Sequence, residues 1–184
     1  MSTRTLGLIG SATDGLENIR TSLVEPAIAR GWRVAVTLTP TAGTWLEDTG
    51  ELARIEDDTG LPCRVAPRMP REASPHPSID CLLVCPASAN TVAKLALGLA
   101  DNQALTTVCE AIGTRGVPIV VFPLVNAAHV RHPVWDSHLA ALRGAGVHLL
   151  TGDEYWPLHE PRSAPSDKDL PWTKILDTLE EVSG

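Results

Sequence analysis

Ile79-Asp80-Cys81-Leu82-Leu83-Val84-Cys85-Pro86-Ala87-Ser88-Ala89-Asn90-Thr91 sets a nearly unbroken apolar run directly before a cluster of small and polar side chains. An apolar run without alternation marks a parallel strand covered on both faces, because only such a strand buries both sets of its side chains. Ile79 to Cys85 reads as that strand, and a helix follows through Leu97. The same unit recurs on either side. Thr5–Gly10 is a strand that leads through Ser11–Gly15 into an amphipathic helix with Ile19, Leu23, Val24 and Ile28, closed by Gly31. Trp32–Thr39 is a β-branched strand stopped by Pro40, and Val117–Phe122 is a strand that ends at Pro123, ahead of a helix over Val134–Leu142. Gly144-Ala145-Gly146 then precedes a last strand, Val147–Leu150.

Strand and helix in alternation predict an α/β fold of the Rossmann-like (flavodoxin-like) kind, a parallel sheet with helices on both faces in a single domain. The spacing also predicts a helix within Gly43–Ile55 and a short strand over Leu61–Val65. Met69–Pro77 holds three prolines and reads as a loop. Residues 1–150 make the α/β unit, and 151–184 form a Pro-rich arm and a final helix, Trp172–Val182, of the same domain.

Composition narrows the functions open to such a fold. The net charge of −7 disfavours a nucleic-acid partner, which needs clustered Lys and Arg. Cys63, Cys81, Cys85 and Cys109 form no CxxC pair and read as reduced thiols of a cytoplasmic protein. Apolar stretches break well short of the roughly 18 residues a membrane span needs, so no membrane partner is expected. His129, His132 and His138 lack a carboxylate or thiol at ligand spacing, and no metal is expected.

Three strand ends share one design. Gly10-Ser11-Ala12-Thr13, Thr39-Pro40-Thr41-Ala42 and Pro86-Ala87-Ser88-Ala89-Asn90 each present hydroxyls and small side chains just past a buried strand. Ligands of open parallel sheets bind beyond these carboxyl ends. Helix-start N–H groups and hydroxyls suit a phosphate there, although a single Ser or Thr at such a place is more often a helix cap. Gly10–Gly15 lacks the GxGxxG spacing of a dinucleotide fingerprint, so a mononucleotide fits better.

Pro86-Ala87-Ser88-Ala89-Asn90-Thr91, followed by Lys94, Gly98 and Asp101-Asn102, resembles the PASANT segment of the homo-oligomeric flavin-containing cysteine decarboxylases. Pro123-Leu124-Val125-Asn126-Ala127-Ala128-His129 stands at the place of that family's PxMNxxM motif, with both methionines replaced. The likeness covers roughly the first 150 residues. It implies FMN as cofactor, held by Gly10, Ser11, Ala12, Thr13, Thr39, Thr41, Ala42, Pro86, Ala87, Ser88, Ala89, Asn90, Lys94, Asp101 and Asn102. It also implies a homo-oligomer, a trimer or a dodecamer of trimers, with FMN between subunits.

The resemblance further implies an oxidative decarboxylase of a small-molecule or peptide substrate ending in cysteine. Asn126 would hold the carboxylate and His76 would move a proton, though His76 lies four positions nearer the strand than the family's histidine. Asn126 equally suits the cap of the next helix. The pantothenate branch of the family has a cysteine after the last strand that returns the ene-thiol product to a thiol. Here that region reads Thr151-Gly152-Asp153-Glu154-Tyr155-Trp156, so the reaction should stop at the oxidised ene-thiol. The alternatives are a flavin-binding or flavin-carrying protein without decarboxylase activity, and a phosphate-binding module without flavin.

Overall fold

The buried runs assemble into one sheet of five parallel strands in the order β2-β1-β3-β4-β5, with β1 Thr5–Gly10, β2 Arg33–Leu38, β3 Cys81–Ala87, β4 Ile119–Pro123 and β5 His148–Leu149. The computed structural model describes residues 3–114, 116–164 and 170–184. From β1 the chain crosses to β2 on one side, and from β3 it moves to β4 on the other. The sheet therefore has its topological switch point between β1 and β3, where a crevice opens at the strand ends.

Strand pleating splits the core in two, because neighbouring side chains point to opposite faces. Leu6 and Leu8 of β1 and Leu83 and Cys85 of β3 pack against α1 (Glu25–Ala29), α2 (Pro40–Asp48) and α3 (Glu51–Thr59). Ile9, Leu82 and Val84 face α4 (Ala89–Ala96) and α5 (Gln103–Thr114). Beyond β4 lie the short α6 (Ala127–Val130) and α7 (Trp135–Gly144), and α7 joins this second layer through Leu139 and Leu142. α8 (Trp172–Ser183) returns to the first layer, where Ile175, Leu176 and Leu179 are buried. Tyr155 and Trp156 of the Pro-rich arm pack on the same layer.

Several boundaries differ from those read in the sequence. The stretch after β1 divides into a 3₁₀ turn, Leu16–Asn18, a π turn, Arg20–Val24, and α1, which continues directly from that turn and carries Pro26 near its start. The helix expected within 43–55 is two helices, because Gly50 between them adopts φ 72°, a left-handed conformation that ends α2 and starts α3. Leu61–Val65 forms only an isolated bridge, Arg64 to Thr37. β3 runs on to Ala87 through a cis Cys85–Pro86 peptide, and its register against β4 shifts between Val84 and Ala87. α5 occupies a stretch to which the sequence pattern assigned no element. No helix among the described residues is long and apolar enough to cross a membrane.

Candidate functional site

Hydrogen bonds lace the carboxyl ends of four adjacent strands together. Thr39 N–H donates to Gly10 O (3.0 Å), Ser11 N–H to Pro86 O (3.2 Å) and Leu124 N–H to Ala87 O (2.9 Å), so the rim of the sheet is a continuous backbone platform. Ser11, only 2% exposed, adds a second staple. Its hydroxyl donates to Pro86 O (2.8 Å) and accepts from Ser88 N–H (2.8 Å).

Above this platform lies a cavity of about 620 Å³, lined by Ser11, Ala12 and Thr13 after β1, Thr39, Pro40 and Thr41 after β2, and Ser88, Ala89, Asn90, Thr91 and Lys94 after β3. Asp101, Asn102, Leu105, Leu124, Trp45 and His129 complete the wall. Eleven of the fifteen residues expected to hold a cofactor thus meet around one space. Gly10, Ala42, Pro86 and Ala87 do not line it, because they are packed behind it. A Cβ at Gly10 would come within 2.8 Å of the Leu38 side chain, so its smallness serves the packing beneath the rim.

The hydroxyls divide by role. Ser88 caps α4 by accepting from Thr91 N–H (3.2 Å), and Asn102 caps α5 by accepting from Leu105 N–H (3.1 Å). Thr39 stands at the N-cap of α2 without a side-chain cap bond, which leaves its hydroxyl for a ligand. First-turn N–H groups of α2 and α4 without a helical acceptor open toward the same space. Lys94 pairs with Asp101 at the wall, and this bond holds the Asp101 carboxyl below its ordinary range. Trp45, read only as a helix-packing residue, and Leu105, in a stretch given no element, were not expected at the site.

Asn126 lines an adjoining cavity of about 290 Å³ that shares Thr13, Trp45, Leu124 and His129 with the first. Its Oδ1 accepts from His129 N–H (3.1 Å) as the cap of α6. The amide Nδ2 has no partner among the described residues and remains a donor. The Pro-rich arm closes the far side of this cavity with Trp156, His159 and Glu160. His159 O accepts from Ala127 N–H (2.8 Å), and Glu160 takes both terminal nitrogens of Arg131 at 2.6 and 2.8 Å.

His76 stands elsewhere. It lines a separate cavity of about 600 Å³ on the second face of the sheet, which shares no residue with the other two. Its Nε2 lies 2.8 Å from Pro62 O, and a carbonyl only accepts, so Nε2 carries the proton and Nδ1 the lone pair. Burial, and then the nearby Arg64 charge, push its pKa below the ordinary 6.5 against the Pro62 bond that raises it. One chain alone does not bring His76 and Asn126 to a common point. Among the described residues no group of three or more His, Cys, Asp or Glu is placed to hold a metal.

Comparison with known proteins agrees with this architecture. The chain is 34% identical over 71 residues to a cysteine/cysteine sulfinic acid decarboxylase of an unknown prokaryotic organism, 39% of this chain and 19% of that protein. It is likewise 34% identical over 71 residues to the coenzyme A biosynthesis bifunctional protein CoaBC of Thermococcus kodakarensis, 39% of this chain and 17% of that one. The matched stretches span less than a fifth of the length of these curated relatives. Among solved structures, the FMN-dependent cysteine decarboxylase TvaF from thioviridamide biosynthesis superposes with a TM-score of 0.72 at 19% identity over 99% of both chains. The flavoprotein family model matches residues 21–182, from the turns after β1 through α8, and on that match the chain belongs to the flavoprotein family.

Proposed function

We propose that this protein is an FMN-dependent oxidative decarboxylase of a substrate that ends in a cysteine-like carboxylate. The observation that carries the reading is the cavity at the switch point, where three hydroxyl-rich strand ends and two helix starts surround one space. Its volume falls within the roughly 300–1,000 Å³ of small-molecule sites. FMN suits what lines it. The free Thr39 hydroxyl and the unpaired first-turn N–H groups of α2 and α4 match a phosphate, and the small Ala12 and Ala89 leave room for a flat ring. Ser11 and Ser88 shape the cradle rather than grip the ligand, since both hydroxyls are already spent.

Bound FMN supplies the two-electron oxidation of the thiol-bearing carbon, after which the neighbouring carboxylate leaves as carbon dioxide and an ene-thiol remains. Asn126 offers Nδ2 to the carboxylate, a neutral donor that holds the anion without competing for its charge. His76, neutral and with Nδ1 free, can take the thiol proton. Because His76 and Asn126 line separate cavities in one chain, the complete site combines the His76 face of one copy with the cradle of another. The arm and α8 contain no cysteine that could return the ene-thiol to a thiol, and oxygen would serve as the final electron acceptor.

A peptide with a free C-terminal cysteine, incubated in air with the FMN-loaded protein, tests the reading by mass. The expected loss is about 46 mass units, carbon dioxide with two hydrogen atoms, and a loss of about 44 would refute the oxidative outcome. No loss from such peptides or from phosphopantothenoylcysteine would instead leave a flavin carrier.

A further inference from the structure

The cavity around His76 carries a charge that the decarboxylase reading leaves unused. Arg64 is fixed in its wall, because its backbone N–H donates to Val36 O (3.0 Å) and its carbonyl accepts from Leu38 N–H (2.8 Å), tying it to β2. Its guanidinium has no carboxylate partner among the described residues. Arg20, Arg30 and Arg131 each pair with a carboxylate instead. Burial first, and then neighbouring Arg68, lower the Arg64 pKa, and no acidic group offsets them. Arg68 lines the same wall and spends one nitrogen on the Glu72 carbonyl. Glu110 is the carboxylate in this wall, and it pairs with neither arginine.

A partly buried guanidinium without a counter-charge pays desolvation with no return, and its planar fork matches carboxylate or phosphate oxygens. We propose that Arg64 and Arg68 form a subsite for an anionic group of the substrate, a carboxylate or phosphate distinct from the carboxylate that is lost. The identity of that anion rests on the decarboxylase reading, whereas the ability of the cavity to hold one does not. Arg64 also stands close enough to His76 to lower its pKa, so an anion seated here lies beside the proton acceptor. The subsite therefore selects substrates with a second negative charge near the reacting cysteine.

Calorimetric titration of the FMN-supplemented protein with inorganic phosphate tests the cavity directly, since the phosphate site of the flavin is then filled. Saturable binding is expected, weakened about tenfold or more in Arg64→Gln, with the flavin absorbance unchanged. The proposal falls if phosphate does not bind, or if Arg64→Gln and Arg68→Gln both leave binding intact. It falls equally if Arg64→Gln reduces the mass of the assembly in light scattering, because the guanidinium then serves a neighbouring copy. Two substrate pairs identify the anion: cysteine-ended peptides with Glu or Gln before the cysteine, and phosphopantothenoylcysteine with its dephosphorylated form. The charged member of one pair should show the lower KM, a preference lost in Arg64→Gln. Equal KM within both pairs overturns the substrate assignment. A protein that binds phosphate through Arg64 but decarboxylates nothing retains the subsite and loses only the decarboxylase reading.

Discussion

Asn126 was open to two readings in the sequence, helix cap or carboxylate holder, and the structure lets one side chain do both. Oδ1 caps α6 while Nδ2 stays available. Replacing Asn126 with Asp separates the roles, because Asp caps a helix as well as Asn but puts an anionic oxygen where Nδ2 stood. Turnover should fall about a hundredfold with FMN still bound, measured as product mass against flavin absorbance. Unchanged turnover would remove Asn126 from the reaction. His76 gives a second prediction. Its lowered pKa keeps the ring neutral at pH 7, so kcat/KM should hold level down to below 6.5. Arg64→Gln removes a charge that opposes protonation and should move the acid limb to higher pH. A limb that stays in place in this variant would detach Arg64 from His76.

Ser11 joins β1, β3 and the start of α4 through one buried and one partly buried hydrogen bond. Ser11→Ala leaves Ser88 N–H without its partner and should lower unfolding stability by about 1–3 kcal/mol in urea. A change below that range would mean the backbone bonds alone hold the rim. At this scale the sequence was most legible where the chain is buried on both faces. The apolar runs of β1, β3 and β4 leave little choice of secondary structure, and the small residues after β1, β2 and β3 mark the ligand edge. Legibility failed where a short-range signal had to compete. α5 is the exception, because Leu105, Val108, Cys109 and Ile112 do recur at helical spacing and the element was legible although unassigned. Gly50 splits what the apolar spacing reads as one helix. Most expected cradle residues do line the cavity, because strand ends fix them. The location of His76 was not legible, since a Pro-rich loop has no period from which to place a side chain in space.

At the scale of the whole molecule, the separation of His76 from the cradle is the reason to expect more than one copy. The loop after α4 leaves Leu97 63% and Leu99 49% exposed beside Asp101 of the cradle wall, a place where a second subunit can bury them. Leu97→Glu together with Leu99→Glu should lower the assembly mass in light scattering and release FMN. A monomer that holds FMN unaided would contradict the shared site. Everything else depends on whether the switch-point cavity holds a flavin. Titration of FMN into flavin-free, folded protein, followed by flavin absorbance and fluorescence, measures this most directly. The account predicts saturation at about one FMN per chain, and a folded protein that leaves added FMN free in solution would contradict it.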